Sequence, residues 1–425
     1  MDHQMNLSCR LPNASRAWCW VKSSLTNYRL SKAARKGSSH AIALSVPGCL
    51  VLWLGICPLL WGQGAAGNRA TAPQFTQFFA QGSQALQQGD NAAAEQAFRQ
   101  ALALAPQSVE ILNNLAISLS RQGRDEEAIA TYERALKLKP GDSITQRNLG
   151  VAYFRGHLYK NALPLLQSFA QTTPTFQSLD LTGLDFFALD QYRAAAVYLE
   201  RASRLQPGDI PTLDILGKAY WRAKDYSGVT QVFNRIMAIN PDSPEAHFML
   251  GLAYDTEYKE EEARKEFQAV LTSEPNYPGV HSSLGLIAWR QHRVQEALDE
   301  FNQELIRYPN DPVSNYMAGQ ILRQQNKSAQ AIPFLEAAIA VNPNYTDALM
   351  ELAQCHILLN QPGEALKPLR KVIEINPSFA QAHFVLGTAL SKLGDTAGAV
   401  QERKICGQLE AREHAKLIHN PASTQ

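Results

Sequence analysis

A proline recurs at almost constant spacing along this chain and sets the scale of its architecture. Nine such prolines follow one another in seven steps of 34 residues and one step of 33. A proline cannot continue a helical hydrogen-bond ladder, so each one closes a segment. A fixed period of this length predicts stacked copies of one small structural unit. The prolines are Pro106, Pro140, Pro174, Pro207, Pro241, Pro275, Pro309, Pro343 and Pro377.

Each 34-residue repeat holds two amphipathic helical patterns, as residues 109–142 show. Spacings of three and four residues keep each apolar set on one face of its helix. Gly123 separates the two helices. Neither helix can bury its apolar face alone, so the repeat must stack on its neighbours. The apolar positions are Leu112, Leu115, Ala116 and Leu119 in the first helix and Ala128, Ile129, Tyr132, Ala135 and Leu136 in the second.

Three positions within the repeat carry side chains of constant size. Position 8 is glycine or alanine, position 20 is alanine or valine, and position 24 is bulky. This combination predicts that the two helices of a repeat approach closely where the small residue meets the bulky one. Position 8 is Gly82, Ala116, Gly150, Gly183, Gly217, Gly251, Gly285, Gly319, Ala353 and Gly387. Position 24 is Phe98, Tyr132, Leu166, Leu199, Phe233, Phe267, Phe301, Leu335 and Leu369.

These residues, with the closing prolines, resemble the tetratricopeptide repeat (TPR) family. The resemblance covers residues 75–411 as ten repeats, which start near residues 75, 109, 143, 176, 210, 244, 278, 312, 346 and 380. It implies an all-α fold, an α-solenoid in which tandem helix-turn-helix units coil into a right-handed superhelix. The tenth repeat departs from the family at Arg403 and Cys406, so we expect its charged last helix to cap the stack. Residues 412–425 are expected to form a disordered tail.

The first 74 residues have a different composition. Residues 1–40 are basic and are expected to be disordered, and residues 63–74 form a predicted linker. Residues 41–62 lack any charge and are long enough to cross a bilayer as a helix. A cleaved signal peptide and a retained transmembrane anchor both fit this segment. Both predict an exported or membrane-anchored protein whose repeats lie on the non-cytoplasmic side.

The charge distribution disfavours nucleic acid as a partner. Residues 1–70 contain eight Lys or Arg and one acid, a net charge of +7, which leaves +1 − 7 = −6 for the remainder. Binding to nucleic acid usually needs a clustered basic surface. His247, His281 and His383 are separated by whole repeats, which is not the spacing of metal ligands. The sequence contains no catalytic motif, so we expect neither enzymatic activity nor a cofactor.

The family resemblance implies that positions 2, 5, 6, 9, 12 and 13 of each repeat line a concave groove. Asn114 and Asn148, both at position 6, are predicted to hold the backbone of an extended peptide; the alternative is that they are simply solvated. Several apolar residues are predicted to anchor a partner segment or, alternatively, to pack as core. These are Phe248, Met249, Tyr316, Met317, Met350 and Phe384.

Position 13 is basic in five repeats. A row of cations could attract an acidic partner, but a cation there also offsets the exposed carbonyl groups at the end of the first helix. Trp221, which precedes Arg222, presents the same two alternatives. The position-13 cations are Arg121, Arg155, Arg222, Arg290 and Lys392.

The sequence therefore predicts a non-enzymatic scaffold that binds a protein or peptide partner in its groove, within an exported or membrane-associated complex. Contact with the membrane is expected through the N-terminal segment only. The alternative function is an accessory TPR subunit of a polysaccharide secretion or glycosyltransferase system. The identity of the partner and the oligomeric state stay open.

Overall fold

The computed structural model describes residues 71–419 as helices and short turns, without a β-strand in that range. The predicted all-α solenoid class is confirmed. The basic leader, the apolar segment 41–62 and the linker up to residue 70 lie outside the described residues. Within residues 71–419, no helix is both long and apolar enough to span a bilayer.

The described chain divides into two compact bodies, one ending at Ile239 and the other beginning at Asn240. Each body contains five helix pairs. The N-terminal body contains α1 (Thr71–Gln88), α2 (Asn91–Leu104), α3 (Val109–Arg121), α4 (Asp125–Leu138), α5 (Ser143–Arg155), α6 (Tyr159–Thr172), α7 (Phe176–Ala188), α8 (Tyr192–Leu205), α9 (Ile210–Arg222) and α10 (Tyr226–Ile239). The C-terminal body contains α11 (Pro244–Thr256), α12 (Glu260–Ser273), α13 (Val280–Arg290), α14 (Val294–Arg307), α15 (Pro312–Gln324), α16 (Ser328–Val341), α17 (Thr346–Leu358), α18 (Pro362–Ile375), α19 (Ala380–Lys392) and α20 (Thr396–His419).

The helix pairs differ from the predicted boundaries at both ends of the array. Helix α1 begins at Thr71, so residues 71–74 are helical and not part of a linker. Pro73 is compatible with this start because proline lacks only a hydrogen bond that the first helical turn does not use. Helix α20 runs to His419, well into the predicted tail, because good helix formers such as Glu410 and Ala411 continue it.

The turn between the two helices of a repeat has the same backbone conformation throughout the described chain. Position 15 has a positive φ in every repeat. Glycine fills this position in three repeats, where a left-handed conformation costs little. Seven repeats place a larger residue there: His157, Asp190, Lys224, Tyr258, His292, Asn326 and Asn360.

Close approach at position 8 holds the two helices of each repeat together. In the sixth repeat, a Cβ atom added to Gly251 would lie 2.6 Å from Cε1 of Phe267, which is fully buried. In the seventh, a Cβ atom on Gly285 would lie 2.7 Å from Cε1 of Phe301. The aromatic ring therefore packs against the glycine backbone itself. The predicted contact between positions 8 and 24 is present.

The cations at position 13 reach back to the preceding repeat of the same body. Each contacts the C-terminal end of the preceding first helix, the turn that follows it or the residue after that turn. We call these contacts the inter-repeat staples. They are Arg121 Nη1 to the Leu86 carbonyl oxygen (2.9 Å), Arg155 to Ser120 Oγ (2.9 Å) and Asp125 (3.4 Å), Arg222 over the Tyr192 ring (5.0 Å), Arg290 to Asp255 and Glu260 (3.1 Å for Glu260), and Lys392 Nζ to Asn360 Oδ1 (3.5 Å).

The staples correct the prediction that position 13 forms a cationic row for an acidic partner. The competing explanation, a favourable interaction with the end of a helix, is closer to what the structure shows, because Arg121 binds a carbonyl group at the C-terminal end of α1. The carbonyl group belongs, however, to the preceding repeat and not to the arginine's own helix. Electrostatic interactions at these positions therefore bind repeat to repeat.

Replacing Gly251 by valine should destabilise the C-terminal body. The added methyl groups must displace the buried Phe267 ring, and overpacking of this kind typically costs about 1–3 kcal/mol. Urea denaturation of the variant should show a loss of that size in the free energy of unfolding. Gly363→Ala is the matched control, because no atom lies within 4 Å of its added Cβ. Equal stability of Gly251→Val and the wild type would contradict the close-approach account.

Replacing Arg290 by methionine should also destabilise the C-terminal body. The substitution leaves the half-buried carboxylates of Asp255 and Glu260 without their cation. Breaking a buried pair costs about 3–5 kcal/mol, and partial exposure should reduce this to about 2 kcal/mol. Burial already raises the pKa of Asp255 even with Arg290 present. The loss should therefore be greater at pH 8 than at pH 5, where protonation of Asp255 relieves the unpaired charge.

Arg293→Met serves as the control for Arg290→Met. Its ion pair with Glu296 is 2.7 Å long but lies near the surface. Removing an exposed pair should cost no more than about 1 kcal/mol at either pH. If chemical denaturation gives the same loss in the free energy of unfolding for both variants, the contacts of Arg290 contribute no more stability than an exposed ion pair.

Candidate functional site

Most of the apolar residues predicted as anchors are core, which corrects that prediction. Phe248 is only 6% exposed and Met317 only 3%, and Met249, Tyr316 and Met350 are equally enclosed. The alternative, that these side chains pack between helices, is the correct one. Of the predicted apolar set, only Phe384 is accessible, at 56% exposure.

An aromatic residue at position 34 explains why these position-5 side chains are buried. The Phe248 ring lies 5.1 Å from the ring of Tyr277, and the Tyr316 ring lies 5.0 Å from that of Tyr345. Position 34 elsewhere is usually a short polar residue that caps the next helix, such as Asp142. The aromatic residue covers position 5 of its own repeat instead. These tyrosines were the sequence signal for burial.

The predicted groove residues of the fifth repeat are also occupied within the fold. Trp221 is buried and packs edge-on against Tyr226, with ring centroids 5.3 Å apart. Arg222 is half-buried, and its guanidinium stacks over Tyr192 as a staple. Both side chains therefore make contacts within the fold at the place where the prediction has them contact a partner.

The two predicted asparagines are half-buried on neighbouring first helices. Asn148 Nδ2 donates a hydrogen bond to Asn113 Oδ1 at 3.1 Å, which ties α5 to α3. Arg147 Nε lies 3.4 Å from Asn148 Oδ1. Asn148 therefore takes part in an inter-repeat contact, and Asn114 stands beside it on α3. Whether the pair holds a peptide backbone stays a prediction.

Positions 6 and 9 together form a surface whose position-9 side chains were not among the predicted site residues. In the second, third and fourth repeats both positions are half-buried and lie three residues apart, so they share one side of the first helix. We call this set the 6/9 face. It comprises Asn114 and Ile117 on α3, Asn148 and Val151 on α5, and Leu181 and Leu184 on α7.

Exposed arginines border the 6/9 face. Arg121, Arg147 and Arg155 are all accessible on α3 and α5, with Glu110 as the exposed acid on the same helices. The guanidinium of Arg147 lies 5.6 Å from the ring of Phe169, within the range of a cation–π contact. The surface thus combines amides, aliphatic side chains and a basic rim. An aliphatic residue at position 9 in three successive repeats was the signal that could have revealed it.

The three histidines at position 4 have structural partners in the C-terminal body. The Nδ1 atoms of His247, His281 and His383 lie 2.6–2.7 Å from Glu266, Glu300 and Glu402. Each glutamate sits 19 residues later, on the second helix of the same repeat. The hydrogen bond from Glu300 raises the pKa of His281. Within the described residues no group of three or more His, Cys, Asp or Glu could hold a metal ion.

Comparison with known proteins identifies the repeat. Sequence models described as tetratricopeptide repeat match residues 79–143, 259–312 and 322–383. The peroxisomal targeting signal receptor of Candida albicans is 38% identical over 71 residues, which are 17% of this chain. The chain spans only 12% of the length of that receptor.

Solved structures are similar to part of the chain. The crystal structure of MamA is 22% identical, with a TM-score of 0.37, and the match covers 39% of this chain and 97% of MamA. YrrB, described as a TPR protein with an unusual peptide-binding site, is 19% identical with a TM-score of 0.41. That match covers 44% of this chain and 98% of YrrB.

The small residue at position 8, the bulky residue at position 24 and the period of 34 residues recur through the described helix pairs. Together with the sequence-model matches, they show that the chain carries tetratricopeptide repeats.

Proposed function

We propose that this protein is a non-enzymatic scaffold that binds an extended segment of a partner protein on the 6/9 face. The observation that carries the proposal is the recurrence of accessible pairs in three successive repeats. These pairs are Asn114 with Ile117, Asn148 with Val151, and Leu181 with Leu184. Recognition of an extended segment needs polar groups for its backbone and apolar sites for alternate side chains, and the face supplies both.

The chemistry of the face defines the partner segment. Asn114 and Asn148 offer carboxamides that can both donate to and accept from a peptide backbone. Leu181 and Leu184 offer only apolar contact, so the part of the segment over α7 should carry aliphatic or aromatic side chains. Arg147 on α5 is exposed and is not a staple, so it favours an acidic residue over that helix. The expected ligand is an extended peptide with an acidic residue near Arg147 and apolar residues over α7.

We further propose that the scaffold acts on the non-cytoplasmic side of a membrane, within an exported or membrane-associated complex. The uncharged segment 41–62, preceded by a basic segment, supports this placement. A role as an accessory subunit of polysaccharide secretion or of a glycosyltransferase system is compatible with the same placement.

Charged substitutions on the 6/9 face should abolish peptide binding. Peptides that bind the full-length protein can be selected from a displayed library of random sequences. Their affinity for the Val151→Lys/Leu184→Lys variant should be at least about tenfold lower than for the wild type, a loss of about 1.4 kcal/mol. The lysines place charge where apolar side chains must dock. Isothermal titration calorimetry with the selected peptides measures the effect.

Val197→Lys is the matched control, because Val197 is an exposed aliphatic residue on the second helix α8. It should leave peptide affinity unchanged, and the melting temperature of both variants should match the wild type. Selected peptides that bind all three proteins equally would show that the 6/9 face is not the binding surface.

Export should place a C-terminal reporter outside the cytoplasm. A fusion of the full chain to an enzyme that is active only after export should be active, whereas deletion of residues 41–62 should silence it. Cell fractionation should recover the intact fusion with the membrane or the exported fraction. An inactive fusion of normal abundance in the cytosol would refute the proposed placement and leave the peptide-binding proposal standing.

A further inference from the structure

A carboxyl group without a partner lies inside the N-terminal body. Asp185, on α7, is 0% exposed. Both of its carboxylate oxygens are buried, and neither has a hydrogen-bond partner within the described residues. Buried polar groups are nearly always hydrogen-bonded, because leaving one unpaired costs free energy. Asp185 is therefore an exception that needs a physical account, since neither of its carboxylate oxygens has a partner in the described part of the chain.

No other repeat has an acidic residue at the position that Asp185 occupies. Asp185 occupies position 10, where every other repeat after the first has a small or apolar residue that is also buried. These residues are Ser118, Ala152, Ala219, Ala253, Ile287, Ile321, Cys355 and Ala389. Ser118, the one hydroxyl among them, donates to the Leu115 carbonyl oxygen at 2.7 Å.

Position 10 faces the preceding repeat within the N-terminal body. In the first described repeat this position is Gln84, which is exposed and has no earlier repeat within residues 71–419 to cover it. Ser118, Ala152, Asp185 and Ala219 are all buried at the same position. Asp185 therefore lies at the junction between the third and fourth repeats. That junction is also where the 34-residue period shortens to 33, between Pro174 and Pro207.

Two other polar residues of α7 are buried near this junction, and both are satisfied. Thr182 Oγ1 lies 2.7 Å from the Ser178 carbonyl oxygen and 3.0 Å from that of Leu166 on α6. Ser178 Oγ lies 2.6 Å from the Thr173 carbonyl oxygen. At this junction the hydroxyl groups of Thr182 and Ser178 are therefore hydrogen-bonded, whereas the carboxyl group of Asp185 is not bonded to any described residue.

Charged neighbours do not compensate Asp185. Helices α6, α8 and α9 pack against α7, and none of their side chains forms a hydrogen bond or ion pair with Asp185. Burial is the sole cause that raises the pKa of Asp185, to about 7. The titratable and charged groups on these elements are Tyr159 and Lys160 on α6, Tyr192, Arg193, Tyr198, Glu200, Arg201 and Arg204 on α8, Asp214, Lys218, Tyr220 and Arg222 on α9, and Asp180 on α7 itself.

We propose that Asp185 is a proton-controlled latch at the junction between the third and fourth repeats. The neutral carboxyl group stays packed between the repeats. The ionised group, which has neither a cation nor a hydrogen-bond donor, draws water into the junction and loosens α7 from α6.

The direction of the effect follows from the two states of the carboxyl group. In the opened junction Asp185 meets water and has an ordinary pKa near 3.9. Between about pH 4 and pH 7 the opened form loses its proton while the packed form keeps it. The ratio of opened to packed molecules then rises about tenfold per pH unit, and it levels off above pH 7. The junction is tight in acid and loose at neutral or higher pH.

The latch is independent of the proposed binding function, although it lies beneath the 6/9 face. Val151 on α5 and Leu184 on α7 are on opposite sides of the junction. Opening would separate the two sets of contacts and weaken any segment that spans them. The latch itself concerns only how α6 and α7 pack.

Hydrogen exchange by mass spectrometry on the full-length protein tests the latch. After correction for the intrinsic exchange rate, the protection of α7 amides in the wild type should fall about 30-fold between pH 5.5 and pH 8. In Asp185→Ala, which places the residue of the third and fifth repeats at this position, the fall should be less than about threefold. Asp185→Asn should behave likewise, since it carries no charge at any pH.

Two controls separate the latch from a general effect of pH. Amides of α17 and α18, in the other body, should keep constant protection in every protein. Asp242→Ala removes an exposed acid and should leave the 30-fold fall of the wild type intact. A flat profile in the wild type, or an equal fall in Asp185→Ala, would overturn the proposal whether or not the protein binds peptides.

Transfer of the carboxyl group gives a second, independent test. The double variant Asp185→Ala/Ala219→Asp should restore constant protection to α7 and make the protection of α9 pH-dependent, because Ala219 holds position 10 of the fifth repeat. If this variant does not fold, the single variants still decide the matter. A folded double variant whose α9 protection is independent of pH would show that a carboxyl group at position 10 is not sufficient for a latch.

Discussion

The close approach of the two helices of a repeat is the contact on which the rest of the structure depends. A bulky side chain at position 24 packs directly on the backbone at position 8, as Phe267 does on Gly251. The geometry leaves no space for further atoms, so each pair has one way to pack. Repeats of one shape can stack at a constant interval, and every other position then has a defined neighbour.

Charge serves stacking more than recognition in this array. Arg155 and Arg290 each bind acidic or hydroxyl groups of the repeat before them. The position-4 histidines of the C-terminal body pair with glutamates of their own repeat. With these groups engaged, the partly accessible amides and aliphatic residues of the 6/9 face are the surface best suited to a ligand. Recognition would then rest on backbone hydrogen bonds and apolar contact, with arginines only at the rim.

The fold could be predicted from the sequence because period and side-chain size repeat in every unit. The candidate site could not, because accessibility depends on residues far apart in the repeat. Phe248 looks like an anchor until Tyr277, 29 residues later, is seen to cover it. Position-13 cations look free until their partners 30 and 35 residues earlier are known, such as Glu260 and Asp255 for Arg290. Burial of Asp185 was equally hidden, since an isolated acid in a helical pattern normally indicates a solvated face.

The inter-repeat staples have a direction, and that direction constrains how such a chain can evolve. The cation always belongs to the later repeat and its partner to the earlier one. A gene duplication that copied the seventh repeat behind itself would place the new arginine opposite Trp289 and Val294, which carry no carboxylate to replace Asp255 and Glu260. The second repeat differs, because it donates Arg121 to the first repeat and offers Ser120 and Asp125 to Arg155 of the third. A repeat can therefore be copied behind itself without losing its staple only where it carries both the cation and the acceptor for the next cation.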